Sequence, residues 1–247
     1  MDSYNIKPES LNLICKCMYE VISLSGQFAF TLEDKEMYDE LEILKRQNAC
    51  CFRALGETIN LLEEAKYDRL NPRIFEVTAF LYDMINTCRS KLRKTGIEIE
   101  YDGVQPCYVN IDPDRFAVCI LNLIVNSLAN VDREEGKIKI SVKNLFTDVR
   151  VQIIDNGYGM SAQKAADSMN VDTHGGLTIL KKFCEAFNVS AIFETCENGG
   201  FSISLKIPSA PTPIDVHSSR ASLGDGIFSA SNILLAKLDF LEIDALY

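Results

Sequence analysis

The sequence has few basic residues and no long hydrophobic runs, and both shortages exclude classes of function. Its 247 residues carry 35 acidic and 25 basic side chains, which gives a formal net charge of −10 at pH 7. Binding to nucleic acid or to an anionic membrane surface depends on a basic face, so we expect neither role. No stretch of about 18 apolar residues is present, so we expect no segment that inserts into a membrane.

Histidine is scarce, and paired cysteine motifs are absent. The histidines are His174 and His217, so chemistry that needs an imidazole elsewhere in the chain has no side chain to use. The nine cysteines are an odd number without CxxC spacing, which argues against a disulfide framework or a zinc site. The N-terminus lacks the basic and apolar regions of a secretory signal peptide. We therefore expect a cytoplasmic protein whose reduced cysteines fill its core as small hydrophobic side chains.

Two long stretches with apolar residues at helical spacing open the chain. In residues 8–30 the stripe consists of Leu11, Ile14, Met18, Val21 or Ile22, Ser25 and Phe28. In residues 33–68 it consists of Met37, Leu41, Leu44, Asn48, Cys51, Leu55, Thr58 and Leu62. The second stripe alternates steps of four and three, which is typical of a coiled-coil seam, although an ordinary bundle helix is the alternative. Because an isolated two-helix hairpin buries little surface, we expect residues 8–70 to form a hairpin that dimerises into a four-helix bundle.

Beyond Asn71 and Pro72 the pattern changes to a mixture of helices and strands. Helical spacing predicts helices over residues 74–93, 114–128 and 176–188, and alternating apolar residues predict strands between and after them. The predicted fold class is therefore α+β: the hairpin is followed, over residues 71–208, by an α/β sandwich with helices on one face of a sheet.

The last part of the chain, residues 209–247, is predicted to be a linker followed by an apolar tail. The linker is rich in proline, serine and glycine, and the tail reads IFSASNILLAKLDFLEIDALY from residue 227. The tail either packs on its own protein, is loosely ordered, or docks on a partner.

Two motifs in the predicted sandwich carry polar side chains that could bind a ligand. The second motif also has glycines that let a ligand lie close to the backbone. Asn122 and Asn126 are four residues apart on a predicted helix and share a face, where an amide oxygen suits a hydrated Mg²⁺. Asp155 ends a predicted strand, where its carboxylate can accept a hydrogen bond from an exocyclic amine. Gly157 and Gly159 follow it and admit a ring or a phosphate against the backbone. The structural alternative for the two asparagines is that their amides hydrogen-bond to backbone groups. The structural alternative for the Asp155 motif is an ordinary acidic turn.

A third motif opens a helix with glycines. Gly175 and Gly176 precede Leu177, and the free N–H groups of a helix N-terminus attract phosphate. The structural alternative is a simple turn before a helix.

In this order and spacing the three motifs resemble the N, G1 and G2 boxes of the histidine-kinase branch of the GHKL ATPase superfamily. The resemblance extends over residues 10–208 and includes the segment Asp112-Pro-Asp-Arg115. It implies a site for ATP and Mg²⁺ in which Asp155 recognises the adenine amine and Gly157 and Gly159 form the floor under the nucleotide. Asn126 would bind Mg²⁺, with Asn122 as the polar residue one turn earlier.

The sequence departs from the family at the phosphoryl acceptor and at the phosphate end of the site. The family phosphorylates a histidine on the first hairpin helix, but the matching stretch CMYEVISLSG, residues 17–26, has Met18 or a neighbour in its place. Ala129 stands where the N box usually continues with a basic residue, and the G2 motif keeps only Gly176 and Leu177. The segment between the two glycine motifs is short.

These departures predict a degenerate relative, a pseudokinase, without a catalytic residue of its own. We expect a cytoplasmic homodimer that binds ATP and Mg²⁺ weakly or not at all and acts in two-component signalling by binding a response regulator or a histidine kinase. The alternative is an ATP-dependent protein histidine kinase that acts in trans on a partner.

Overall fold

The computed structural model of the chain describes residues 8–93, 95–132, 135–159, 161, 176–196 and 199–213. The chain divides between Lys66 and Tyr67 into two compact units. The predicted tail, residues 227–247, lies outside the described residues. In the part that is described, no helix has the length and hydropathy that a membrane crossing requires.

The first unit is an antiparallel helical hairpin of α1 (Pro8–Asp34) and α2 (Tyr38–Lys66). Glu36 adopts a positive φ of 56° at the turn between them. Met37 then donates its backbone N–H to the carbonyl of Leu32 at 3.0 Å, which closes the end of α1. The short connection lets the two helices pack along their length.

A seam of small and apolar residues joins α1 to α2. Ala29, Leu32 and Leu41 form a buried cluster, and Leu44 packs against it. Further from the turn, the hydroxyl of Ser25 donates to the side-chain oxygen of Asn48. The predicted stripe of α2 therefore faces α1 within one chain, and its polar residue has a partner there.

A second set of apolar residues on α1, apart from those in the seam, faces away from α2. Leu13, Val21, Leu24 and Phe28 are each more than half exposed and recur at helical spacing. We call these four residues the outer stripe.

The predicted stripe of α1 was wrong in part because it merged the two faces. Met18 and Ser25 are half-buried, whereas Ile14, Val21 and Phe28 are exposed. A helix that is apolar on two sides gives one periodic signal that does not separate them.

We expect a second hairpin to cover the outer stripe, because burial of apolar surface stabilises association by about 25 cal/mol per Å². Val21→Glu combined with Leu24→Glu should therefore convert a dimer into a monomer, since carboxylates are costly to bury unpaired. Multi-angle light scattering measures the mass directly.

Gln47→Glu is the control for added negative charge, because it places one carboxylate at an exposed polar position of the hairpin. This variant should remain dimeric. A sharp monomeric mass for the unmodified chain would refute dimerisation through the hairpin.

The second unit contains a five-stranded sheet in the order β2-β4-β5-β7-β6. Its strands are β2 (Glu98–Asp102), β4 (Lys137–Asn144), β5 (Asp148–Asp155), β6 (Ser190–Thr195) and β7 (Phe201–Pro208). β2 pairs with β4 in parallel, and the other neighbours are antiparallel. A separate antiparallel pair joins β1 (Arg73–Glu76) to β3 (Tyr108–Ile111).

The helices of this unit are α3 (Val77–Lys91), α4 (Pro113–Leu128) and α5 (Gly176–Phe187). α3 packs on β2, while α4 packs on β4, β5 and α5. The strands bury their apolar residues on this side, at Ile138, Ile140, Val142, Val149, Val151, Ile153, Ile203, Leu205 and Ile207. The predicted α/β sandwich is confirmed.

The helix expected from residue 74 begins three residues later, because β1 comes first. Phe75 is buried and pairs with Val109, and the N–H of Val77 donates to the carbonyl of Cys107 at 2.9 Å. A four-residue strand that runs directly into a helix leaves no turn residue to mark the boundary.

The nine cysteines are free thiols, and four of them, Cys15, Cys88, Cys107 and Cys119, are buried. Burial raises the pKa of the Cys88 thiol to about 12. Burial likewise raises the pKa of Cys119 well above its ordinary value.

Alkylation at pH 8 should therefore spare Cys88 and Cys119 and modify the exposed Cys50. A pKa near 12 lowers the thiolate population of Cys88 by roughly three orders of magnitude relative to an ordinary thiol. Peptide mass spectrometry after timed iodoacetamide treatment gives the rate at each site, and the unfolded chain supplies the control in which these sites react alike. Fast labelling of Cys88 in the folded chain would contradict its burial.

Candidate functional site

The site begins with α4, whose N-terminus is fixed by Asp112. One carboxylate oxygen of Asp112 accepts from the backbone N–H groups of Asp114 and Arg115, at 3.0 and 3.2 Å. The other accepts from the N–H of Asn71 at 2.9 Å. Pro113 follows at the first helical position, where its missing N–H costs nothing. The segment DPDR is therefore a helix cap that sets the direction of α4.

Asp155, at the end of β5, is hydrogen-bonded to three separate segments of the chain. It is 6% exposed. Its Oδ1 accepts from the N–H groups of Gly157 and Phe201, at 3.1 and 3.2 Å, and its Oδ2 accepts from the hydroxyl of Ser127 at 2.9 Å. Ser127 belongs to the last turn of α4, and Phe201 begins β7. One carboxylate thus joins the end of α4, the turn after β5 and the start of β7.

Gly157 is required because the turn after β5 approaches the end of α4. A Cβ on Gly157 would lie 2.2 Å from the carbonyl oxygen of Asn130. The N–H of Tyr158 donates to that same oxygen at 3.0 Å. The close approach that the sequence predicted here is made by the chain's own backbone, and the contact with a nucleotide stays a prediction.

Gly159 is required because the turn after β5 also lies against the turn between β6 and β7. It has a φ of +73°, and a Cβ on it would lie 3.0 Å from the carbonyl oxygen of Gly200. Gly200 itself has a φ of +86°, and its Cβ would lie 2.1 Å from the carbonyl oxygen of Asp155. No other residue type fits these positions without a shift of backbone.

Asn156 holds the other side of the same turn. Its side-chain oxygen accepts from the N–H of Lys137 at 2.7 Å, and its amide nitrogen donates to the carbonyl of Glu135 at 2.9 Å. The turn that follows β5 is therefore tied to α4, to β4 and to the β6–β7 turn.

Asn122 and Asn126 lie on one side of α4 but differ in environment. Asn122 is 6% exposed, and its amide nitrogen donates to the carbonyl of Val118 at 3.0 Å. Asn126 is exposed. The buried amide of Asn122 fits the structural alternative, and the role of Asn126 as a magnesium ligand stays a prediction.

The third motif is only partly described. Gly176 is the first residue of α5, and the side chain of Leu177 is half-buried. Gly175 lies outside the described residues, as do His174, Asp172 and residues 162–171. The phosphate-binding role of this helix start stays a prediction.

Two residues of the site were missed by the sequence reasoning. Ser127 follows directly after Asn126, and the signal that could have found it is a polar residue on a strongly apolar helix. Gly200 was read only as part of a hairpin turn, because a glycine pair near a strand does not reveal which backbone it must approach.

The Asp155 carboxylate retains the capacity to accept one further hydrogen bond. A carboxylate offers about four acceptor positions. Asp155 uses three of them to accept hydrogen bonds within the chain, which leaves one for an exocyclic amine. In the described part of the chain, no group of three or more histidine, cysteine, aspartate or glutamate side chains could hold a metal. Magnesium at this site would depend on nucleotide phosphates and on the Asn126 amide.

Comparisons with known proteins agree with this arrangement. Residues 111–211 match the family described as histidine kinase-, DNA gyrase B-, and HSP90-like ATPase. Sporulation kinase B of Bacillus subtilis (strain 168) is 24% identical over 185 residues, which cover 72% of this chain and 42% of the kinase. The chain thus spans less than half the length of this relative.

Solved structures of histidine kinases share the fold. The catalytic domain of histidine kinase ThkA superposes with a TM-score of 0.52 at 23% identity, covering 57% of this chain and 99% of that domain. ThkA in complex with the response regulator protein TrrA gives a TM-score of 0.57 at 20% identity, covering 82% of this chain and 61% of that one.

The matched family, the kinase relative and the shared fold agree with the resemblance found from the sequence motifs. Residues 111–211 therefore match the histidine kinase-, DNA gyrase B-, and HSP90-like ATPase family, and these findings support a GHKL ATPase domain of the histidine-kinase type in this part of the chain.

Proposed function

We propose that the chain is a pseudokinase, a degenerate histidine-kinase-like signalling protein that works as a dimer through protein partners. The observation that carries this proposal is a two-helix hairpin without histidine, since both His174 and His217 lie beyond residue 66. Transfer of a phosphoryl group to nitrogen needs an imidazole acceptor. The hairpin cannot be its own acceptor.

The two ends of the candidate nucleotide site support weak binding. The adenine end retains the Asp155 carboxylate, which has one acceptor position left for an exocyclic amine. At the end of α4, Ala129 is exposed and brings no positive charge to a triphosphate. A nucleotide would then be held by its base more than by its phosphates.

The partner we propose is a response regulator or a histidine kinase of a two-component pathway in the cytoplasm. A four-helix bundle presents a docking surface that does not depend on one histidine. The complex of the kinase ThkA with the response regulator TrrA is a precedent in a protein of related fold. A hairpin that binds such a partner without phosphorylating it would compete with an active kinase.

A kinase acting in trans is the alternative function. It is favoured by the ordered Asp155 carboxylate and by the exposed side chain of Asn126. Such an enzyme would bind ATP at its own domain and transfer the phosphoryl group to a histidine on another chain.

Phosphoryl transfer separates the two functions. Incubation of the purified chain with γ-labelled Mg²⁺-ATP should leave no acid-labile label on it, because the hairpin has no imidazole. A histidine kinase with an intact hairpin serves as the positive control. Label in a peptide from residues 8–34 would overturn the proposal, whereas label only on an added histidine-bearing hairpin would establish the kinase in trans.

Asp155→Asn tests the adenine end. The amide oxygen can still accept from Gly157 and Phe201, and the Ser127 hydroxyl can rotate to accept from the new amide nitrogen. That nitrogen is a donor facing the donor of the adenine amine. Such a mismatch costs about 1–3 kcal/mol, so affinity for ATP should fall by roughly 5- to 150-fold.

Titration calorimetry with Mg²⁺-ATP and Mg²⁺-GTP measures this effect. The unmodified chain should prefer ATP, because GTP carries a carbonyl where adenine has its amine. Asp148→Asn is the matched control, since it makes the same change at the start of the same strand and should leave the affinity unaltered. Equal affinities for ATP and GTP, or an unchanged affinity in Asp155→Asn, would move the nucleotide away from Asp155.

A further inference from the structure

A cleft with two arginines lies where the chain passes from α3 to β2. Its volume is about 350 Å³, at the lower end of the roughly 300–1,000 Å³ of pockets that hold small ligands. Arg89, in the last turn of α3, and Arg93, two residues beyond that helix, line it together with residues from the start of β2. We call it the arginine cleft. None of its described lining residues belongs to the three motifs of the candidate nucleotide site.

Thr95 holds the chain between α3 and β2 in place. Its backbone N–H donates to the carbonyl of Leu92 at 3.0 Å, and its hydroxyl donates to the same carbonyl at 2.8 Å. The N–H of Ile97 donates to the Thr95 hydroxyl oxygen at 3.3 Å. Leu92, Ile97 and Ile99, which also line the cleft, are buried. The cleft is therefore formed before a ligand binds, which lowers the entropic cost of binding.

Arg89 is held in place by neutral groups. Its Nε donates to the carbonyl of Ile99 at 2.7 Å, and its Nη1 donates to the side-chain oxygen of Asn86 at 3.2 Å. Neither acceptor is charged, and the guanidinium forms no ion pair with any residue that the structure describes. A guanidinium has five N–H donors. Three of them thus remain for a ligand, on a side chain whose direction is already fixed.

Arg93 brings a second positive charge to the same cleft. It is exposed, and within the described ranges it too lacks an ion pair. Glu98 is the acid among the described lining residues, and its Oε2 lies 3.8 Å from the Nζ of Lys137. These four side chains carry three positive charges and one negative charge. Because like charges in one cleft repel each other, an anion between the arginines would be stabilising.

A phosphate group matches this excess charge better than a single carboxylate does. A phosphate ester carries a charge of about −1.5 to −2 at pH 7, whereas a carboxylate carries one negative charge. The planar fork of an arginine also presents paired N–H donors to phosphate oxygens. The volume of the cleft suits a small molecule that carries such a group.

We propose that the arginine cleft binds the phosphate group of a small phosphorylated molecule, with Arg89 and Arg93 as the donors. The loop that Thr95 holds forms the rest of the site. Such a ligand would occupy a second site of this unit, apart from the Asp155 carboxylate. The proposal does not depend on whether the domain binds ATP.

Nuclear magnetic resonance of the full ¹⁵N-labelled chain tests the site with sodium phosphate as the probe. Sodium chloride keeps the ionic strength constant during the titration. The amide signals of Arg93, Thr95 and Glu98 should shift and reach saturation. Glycerol 3-phosphate should bind at least as tightly as inorganic phosphate, and acetate should bind more weakly because it carries less charge.

Arg93→Gln should weaken phosphate binding at least about tenfold, because a charge-assisted hydrogen bond is lost. Arg93→Lys should lose less, since it keeps the charge without the fork. Glu98→Gln should tighten binding, because it removes the acid from the lining. Arg73→Gln is the matched control: it removes the same charge at an exposed position outside the cleft and should leave the affinity unaltered.

Four results would overturn the proposal. Shifts that grow without saturation would mean that the cleft is not a binding site. Equal losses of affinity in Arg73→Gln and Arg93→Gln would mean that phosphate responds only to the overall charge. Equal affinities for acetate and phosphate would exclude a site selective for phosphate. A phosphoserine peptide that binds far more tightly than glycerol 3-phosphate would assign the cleft to a protein partner instead of a small molecule.

Discussion

The hydrogen bonds of the Asp155 carboxylate are the constraint on which the ATPase-type domain depends. They join Ser127 of α4, the turn at Gly157 and the first residue of β7, which are far apart in sequence. A buried carboxylate is tolerated only when its oxygens are satisfied, so these donors and the acid require one another. The glycines around it follow from the same closeness, since Gly200 lies where a Cβ would strike the carbonyl of Asp155.

The structural role of Asp155, Gly157 and Gly159 changes what their presence implies about activity. Asp155, Gly157 and Gly159 are needed to pack three segments together whether or not a nucleotide binds. A chain that had lost ATP binding would still need them for its fold. Their presence therefore supports the fold more strongly than it supports catalysis, and residues without such packing duties, such as Asn126 and Ala129, carry more information about chemistry.

The sequence predicted the sandwich because its strands alternate and its helices carry one apolar face. The prediction from sequence failed where one pattern of residues is compatible with two structures. β1 was absorbed into α3 because no turn residue separates Glu76 from Val77. The two apolar faces of α1 were merged into one stripe, and Ser127 was overlooked because its partner, Asp155, comes from a strand 28 residues later. Contacts of that range are set by the packing of whole elements, which local periodicity does not encode.

The packing of the hairpin does not depend on a histidine. The seam between α1 and α2 is held by the cluster of Ala29, Leu32 and Leu41 and by the bond between Ser25 and Asn48. None of these contacts involves an imidazole, so a hairpin without a phosphoryl acceptor can pack in the same way. The exposed apolar residues of the outer stripe, in contrast, are unfavourable in water unless something covers them. These exposed residues are the physical reason for which we propose that the hairpin acts as an interaction surface.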